Sequence, residues 1–268
     1  MDDKYSVLMS VYFKEKPEYL QQSIESILHQ TAPTDDFVLV CDGPLTSELD
    51  SVISKYTTLH IVRLKENGGL GRALNEGMKY CQHDLIARMD SDDISRPDRC
   101  ERELKVFAEH PDVDIVSGTI EEFITSPDEV YSRRFLPETS EEIVEFAKKR
   151  NPFNHPAVMY RKSAVEAAGG YKDFYLLEDY FLWIRMILRG YKGYNIQEPV
   201  LWMRAGSDLY KRRSGLEYVK SEKKLFSYLL RKGFISKGEY TSAMISRAAG
   251  AMVPNSLRSF LYKRMLRE

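Results

Sequence analysis

Over the first hundred residues, short apolar runs alternate with apolar positions at helical spacing. That pattern predicts a mostly parallel sheet with crossover helices. Residues 5–12 read as the first strand. Pro17 opens a helix whose apolar positions Leu20, Ile24, Ile27 and Leu28 follow i, i+4, i+7, i+8 spacing. The continuous apolar run 37–41 is expected of a strand covered on both faces, and Asp42-Gly43-Pro44 ends it as a turn. A helix over 49–56 leads to a strand at 60–64. The glycine-rich turn 67–71 follows, then a helix over 72–81 and a fourth strand over 84–89 that runs into Asp90-Ser91-Asp92-Asp93.

Beyond this point the pattern is less regular. It predicts a strand over 113–118, a helix over 140–149, a loop over 151–155 and a helix over 176–188. From about Ser214 it is helical and basic until Pro254, and a last amphipathic stretch carries Leu257, Phe260, Leu261 and Met265.

Composition adds three constraints. The net charge of -1 argues against a generally basic nucleic-acid binder. It is unevenly spread, however: the chain from Leu201 onward carries +10 and the first two hundred residues carry -11. An acidic body with a basic tail suits work beside an anionic membrane surface. Cys41, Cys81 and Cys100 form no CxxC pair, so a reducing compartment is expected. No signal peptide is read at residues 1–11, and no apolar run is long enough to span a bilayer.

In an open parallel sheet, ligands bind beyond the carboxyl ends of the strands. Three strands end there in suitable groups: Tyr12, Asp42 and the cluster Asp90-Ser91-Asp92-Asp93. Residues two apart in extended chain share a face, so Asp90 and Asp92 point one way. Paired hard carboxylates suit Mg²⁺ or Mn²⁺, which leave sites open for substrate phosphates. A solvated acidic turn is the bland alternative, weakened by the buried-looking strand before it. Asp42 is a candidate to accept from a nucleobase N–H or to hold ribose, although an Asp before Gly-Pro is routine in turns. The stretch Asn67 to Gly71 matches neither a dinucleotide fingerprint nor a P-loop, yet it brings Arg72 toward the strand ends as a nucleotide contact. Glu178 and Asp179 open a strongly apolar helix. They read either as dipole-complementing residues or as the source of a general base, with Asp179 the candidate. His155 reads as a structural loop histidine or as a contact to diphosphate or acceptor.

In order, these features resemble glycosyltransferase family 2, the inverting enzymes of GT-A fold. The resemblance spans roughly residues 5–205 and rests on the opening 6–12, Asp42, Asn67 with its glycines, the cluster 90–93, Arg161 with Gly169-Gly170-Tyr171, and Glu178-Asp179. It implies an α/β chain with a Rossmann-like, mostly parallel sheet flanked by helices. Residues 1–112 would form the nucleotide-sugar half and 113–205 the acceptor half, followed by a basic helical extension over 206–268.

The resemblance also implies roles. Ser10 and Tyr12 flank the nucleobase, Asp42 bonds it, and Val11, Asn67, Arg72 and Ser91 line the nucleotide site. Asp90 holds ribose or metal-bound water, and Asp92 ligates Mn²⁺ or Mg²⁺. Asp179 is the base, with His155, Glu178 and Arg204 meeting acceptor or diphosphate. The chain departs from the family pattern at Phe13, where an Asn is usual, and in the Gly-Pro after Asp42. It lacks the downstream Q-x-x-R-W and membrane helices of processive synthases, which points to single-sugar addition.

The expected activity is a metal-dependent transfer of a hexosyl or N-acetylhexosaminyl group from a nucleotide sugar, UDP by family habit. The expected acceptor is a glycan or lipid-linked oligosaccharide of bacterial surface polysaccharide synthesis. The expected location is cytoplasmic, with peripheral attachment to the inner membrane face. The competing readings are a nucleotidyltransferase, for which no glycine-rich basic grip on a triphosphate is found near the N-terminus, and a non-catalytic sugar-nucleotide-binding protein.

Overall fold

The computed structural model describes residues 4–205 and 216–252, the side chains of Leu216 and of 248–252 excepted. The run 37–41 does become a strand covered on both faces. β2 (Asp36–Cys41) is buried along its whole length, between β1 (Tyr5–Val11) and β3 (His60–Arg63). With β4 (Leu85–Asp90) these strands form the parallel half of one sheet, in the order β3-β2-β1-β4.

Three helices cross over between them: α1 (Pro17–Leu28), α2 (Ser47–Ile53) and α3 (Leu70–Met78). The α1 periodicity holds at Leu20, Ile24 and Ile27, all buried. Leu28 is a correction, because it lies at the helix end and is exposed.

The sheet continues through its second half. After the two-residue β5 (Ile94–Ser95) and α4 (Arg99–Glu109) come the long β6 (Val113–Phe123) and β7 (Val130–Arg134). Next are α5 (Ser140–Ala147), a 3-10 turn (His155–Ala157), β8 (Met159–Arg161), α6 (Lys162–Ala167), α7 (Glu178–Ile187) and β9 (Lys192–Arg204). β8 joins the halves by pairing antiparallel with both β4 and β6, and β6 runs parallel to β9.

The sequence pattern did not show β9 because Pro199 interrupts it, and a proline removes a ladder donor. The structure places Pro199 opposite Thr119, between two register shifts, so the ladder bends around the missing N–H.

Two apolar layers cover the sheet. Leu20, Ile24, Leu49 and Val106 fill one face, and Leu74, Val165, Leu182 and Trp183 fill the other. A third cluster joins α7 to two C-terminal helices, α8 (Leu216–Arg231) and α9 (Lys237–Met252). Leu225, Phe226 and Leu229 of α8 are fully buried there. Of the expected extension over 206–268, the described residues 216–252 form two helices, and the apolar face of α8 packs on α7. The amphipathic stretch 257–265 lies outside the described residues. Among the described residues, no helix is long and apolar enough to cross a membrane.

Candidate active site

Strand register brings the predicted groups level. Ser10 of β1 pairs with Asp90 of β4, and Val11 pairs with Cys41 of β2. Tyr12, Asp42 and Ser91 therefore leave the sheet at one height, with Tyr12 exposed and Asp42 and Ser91 buried.

Asp42 does more than the sequence suggests. Its carboxylate accepts from Gly68 N at 2.8 Å, Gly69 N at 2.9 Å and Asn67 Nδ2 at 3.1 Å. The glycine-rich turn is an anion-binding concavity of the kind successive backbone N–H groups form, and it is filled by the chain's own acid. Two glycines permit this. Gly69 sits at φ +86°, and a Cβ on Gly43 (φ +87°) would stand 2.6 Å from Asn67 N. Asp42 and Asn67 thus fix the turn that starts α3, and Arg72 lies at the surface paired with Glu66 at 3.0 Å. Such exposed pairs contribute little to stability, so Arg72 can swing toward a ligand at small cost.

The acidic cluster is braced from several elements. Ser23 of α1 donates to the Asp90 carbonyl at 2.6 Å, and Ser91 donates to Glu15 at 2.8 Å. Arg204, at the end of β9, donates its backbone N–H to Asp93 at 2.8 Å and its Nε to the Asp92 carbonyl at 3.0 Å. Its guanidinium lies 3.8 Å from the Tyr19 ring centre. Arg204 thus holds the loop, whereas the sequence suggested a contact to diphosphate or acceptor.

One carboxylate oxygen from each of Asp90, Asp92 and Asp93 lies within 4.8 Å of the other two. This set of hard oxygen donors fits a divalent cation. Commitments within it differ. Arg88 forks both oxygens of Asp90 and Arg204 occupies one of Asp93, which leaves Asp92 the least engaged. Burial, Asp90 and Glu15 push the Asp92 carboxyl up to about 7. Burial and the two neighbouring acids push Asp93 well above the usual carboxylate range. These are the strains that a bound cation relieves.

The second acidic group opens α7 (Glu178–Ile187). Leu176, at φ +56°, turns the chain sharply into α7, a strained conformation of the kind found at functional sites. Asp179 then accepts from Asn151 Nδ2 and from Tyr180 N, both at 2.6 Å. Two donors on two oxygens hold one orientation of the carboxylate. Glu178 is pushed up to about 7 by burial, then by Asp179, with a contribution from Asp90. Glu178 thus lies near enough to Asp90 for the two charges to repel. A Cβ on Gly71 of α3 would lie 3.2 Å from the Tyr171 side chain and 3.9 Å from Glu178, so α3 and α7 begin side by side.

His155 sits beneath, with Nε2 2.9 Å from the Tyr171 hydroxyl. Burial and the Arg88 charge hold its imidazole well below the usual range. It is therefore a neutral hydrogen-bonding group rather than a cation for phosphate.

Sequence reasoning missed Glu15, Arg88 and Asn151. Arg88 left a signal, being a charge inside an apolar strand two positions before Asp90 and so on its face. Nothing in the sequence marked Asn151 as the partner of Asp179.

Comparisons with known proteins identify the family and the fold. The model of the family described as "Glycosyl transferase family 2" matches residues 6–169, well over half the chain. The chain belongs to that family. Two relatives extend the match across the whole length. One is the UDP-Gal:alpha-D-GlcNAc-diphosphoundecaprenol beta-1,3-galactosyltransferase of Escherichia coli, 38% identical, covering 98% of this chain and 97% of the relative. The other is the amylovoran biosynthesis glycosyltransferase AmsE of Erwinia amylovora, 39% identical, covering 97% and 98%. Among solved structures, S. aureus TarS 1-349 in complex with UDP-GlcNAc aligns with a TM-score of 0.70 at 16% identity, covering 98% of this chain and 76% of that one. The family 2 enzyme described here is a glycosyltransferase of GT-A fold.

Proposed function

We propose that this glycosyltransferase moves one sugar from a nucleoside diphosphate donor, UDP-sugar first among candidates, to a hydroxyl of a lipid-linked glycan. The observation that carries the reading is an acidic cluster at the strand ends whose carboxylates fit a divalent cation, beside a carboxylate held in one orientation at the start of α7. The cluster 90–93 stands at the nucleotide-facing strand ends and Asp179 at the start of α7, with Asp90 acting on the neighbouring Glu178. The donor and acceptor named for the E. coli relative support the substrate class.

In the proposed reaction the acceptor oxygen attacks the anomeric carbon as the bond from that carbon to the diphosphate oxygen breaks. The acceptor proton passes to Asp179, and the nucleoside diphosphate leaves without needing a proton, so one base suffices. Direct displacement inverts the anomeric centre. Ser10, Val11, Tyr12, Asn67 and Ser91 line the nucleotide side at the level of Asp42, and His155 and Glu178 line the acceptor side. Asp92, with Asp90 or Asp93, would hold Mn²⁺ or Mg²⁺, which offsets charge on the departing diphosphate. The +10 chain after Leu201 supports attachment to an anionic membrane face.

Mass spectrometry tests the activity directly, with UDP-hexoses and UDP-N-acetylhexosamines offered with Mn²⁺ and a synthetic sugar-diphosphate-alkyl acceptor. A product heavier by one sugar, with UDP released, is expected. Failure of every nucleotide sugar to extend that acceptor would remove the lipid-linked assignment.

A further inference from the structure

Arg88 binds the acidic cluster directly, and its charge also reaches Glu178 at the start of α7. It lies inside β4 and is 1% exposed. Nη1 donates to Asp90 Oδ2 at 2.8 Å and Nη2 donates to Asp90 Oδ1, a fork on both oxygens. Its Nε is buried without a partner. The same positive charge acts on Asp92 and Asp93 on one side, and on Tyr171, His155 and Glu178 on the other.

A buried guanidinium is costly unless its surroundings need it. The local need is clear: Asp90, Asp92 and Asp93 crowd together, and Glu178 is close enough to be affected by the same charges. A bidentate fork is also directional in a way that a point charge is not. With both oxygens held by Arg88, the Asp90 carboxylate has a fixed plane.

We propose that Arg88 is a positioning residue that locks the Asp90 carboxylate in the orientation used to hold the cation-bound nucleotide diphosphate. This rests on the donor class proposed above. It separates the duties of the cluster: Asp90 is held rigid and shared with Arg88, while Asp92 remains the acid most available to a cation.

The test is calorimetry of UDP with Mn²⁺ on the full chain, with melting temperature recorded for each variant and acceptor KM and kcat measured in parallel. Arg88→Lys keeps the charge but makes no fork, so nucleotide affinity should fall by about tenfold while acceptor KM stays within about twofold. Arg88→Met should fall at least as far. Because Arg88 acts through Asp90, Asp90→Asn and the double variant Arg88→Met/Asp90→Asn should bind UDP equally weakly. The double variant also removes both charges of the buried pair, so it serves if Arg88→Met alone does not fold. Folded Arg88→Lys with wild-type UDP affinity would overturn the proposal. A double variant clearly weaker than Asp90→Asn would do so too, since Arg88 would then contact the ligand itself. A wild-type chain that binds GDP or dTDP with Mn²⁺ but not UDP would instead correct the donor class, and the same variants then read out with that nucleotide.

Discussion

Asp179, the proposed general base, has both oxygens held, one by Asn151 and one by the Tyr180 N–H. Asp179→Asn keeps the shape but cannot take a proton, so kcat should fall by roughly 10²–10⁴ while UDP affinity changes little. Steady-state kinetics beside calorimetry separate the two, and near-normal turnover would transfer the role to Glu178. A second residue tests the electrostatics away from the site. Glu103 is fully buried beside Arg99, and burial pushes its carboxyl up to about 7, more than Arg99 offsets. Its folded value thus lies above its unfolded one, so the folded state binds the extra proton. The contribution is full below about 4.5 and is lost as pH rises to about 7. Melting temperature against pH should show wild type losing ground to Glu103→Gln across that window. Parallel curves would mean that Glu103 does not titrate there. Single residues were legible from the sequence where type and position coincided, as with Asp90 and Asp92 on one face of extended chain. Asn151 was not, because its role depends on a loop folding back across the start of α7.

Among the elements, the parallel half was readable because each strand is a short apolar run closed by turn chemistry, and each helix has a clear apolar stripe. α3 begins at Leu70, two residues earlier than its apolar spacing suggests, because Asp42 organises the glycine turn before it. The second half was harder to read. α4 carries a buried Arg99–Glu103 pair where an apolar stripe would be expected, and β9 hides behind Pro199. Helix α8 decides how the C-terminal region is understood. Leu229 is fully buried in the cluster with Tyr180 and Ile184 of α7, so Leu229→Ala should cost about 2–5 kcal/mol in denaturant unfolding. A loss below about 0.5 kcal/mol, the range of surface substitutions, would detach α8 from the catalytic body. Membrane attachment, if the basic tail provides it, then falls to the chain beyond α9. Truncation before Pro254 should abolish co-sedimentation with anionic vesicles at low salt, and undiminished binding would place the contact elsewhere.

At the scale of the whole molecule, one continuous sheet carries the nucleotide groups at the ends of β1, β2 and β4. β8 ties that half to β6 and β9, and Arg204 returns from β9 to clamp the acidic loop. The sequence made the fold class and the parallel half of the sheet legible through ordered, spaced motifs. The clamp was not legible, because it joins residues 112 positions apart with no local pattern to announce them. The central claim is a single displacement, with Asp179 taking the acceptor proton and the nucleotide leaving from the opposite face. That claim fixes the stereochemistry of the product, and NMR coupling constants of the newly formed linkage read it out. From an α-linked UDP-sugar a single displacement yields a β-glycoside. An α-glycoside would contradict it, because retention requires a second displacement or a front-face path that one base at the start of α7 does not provide.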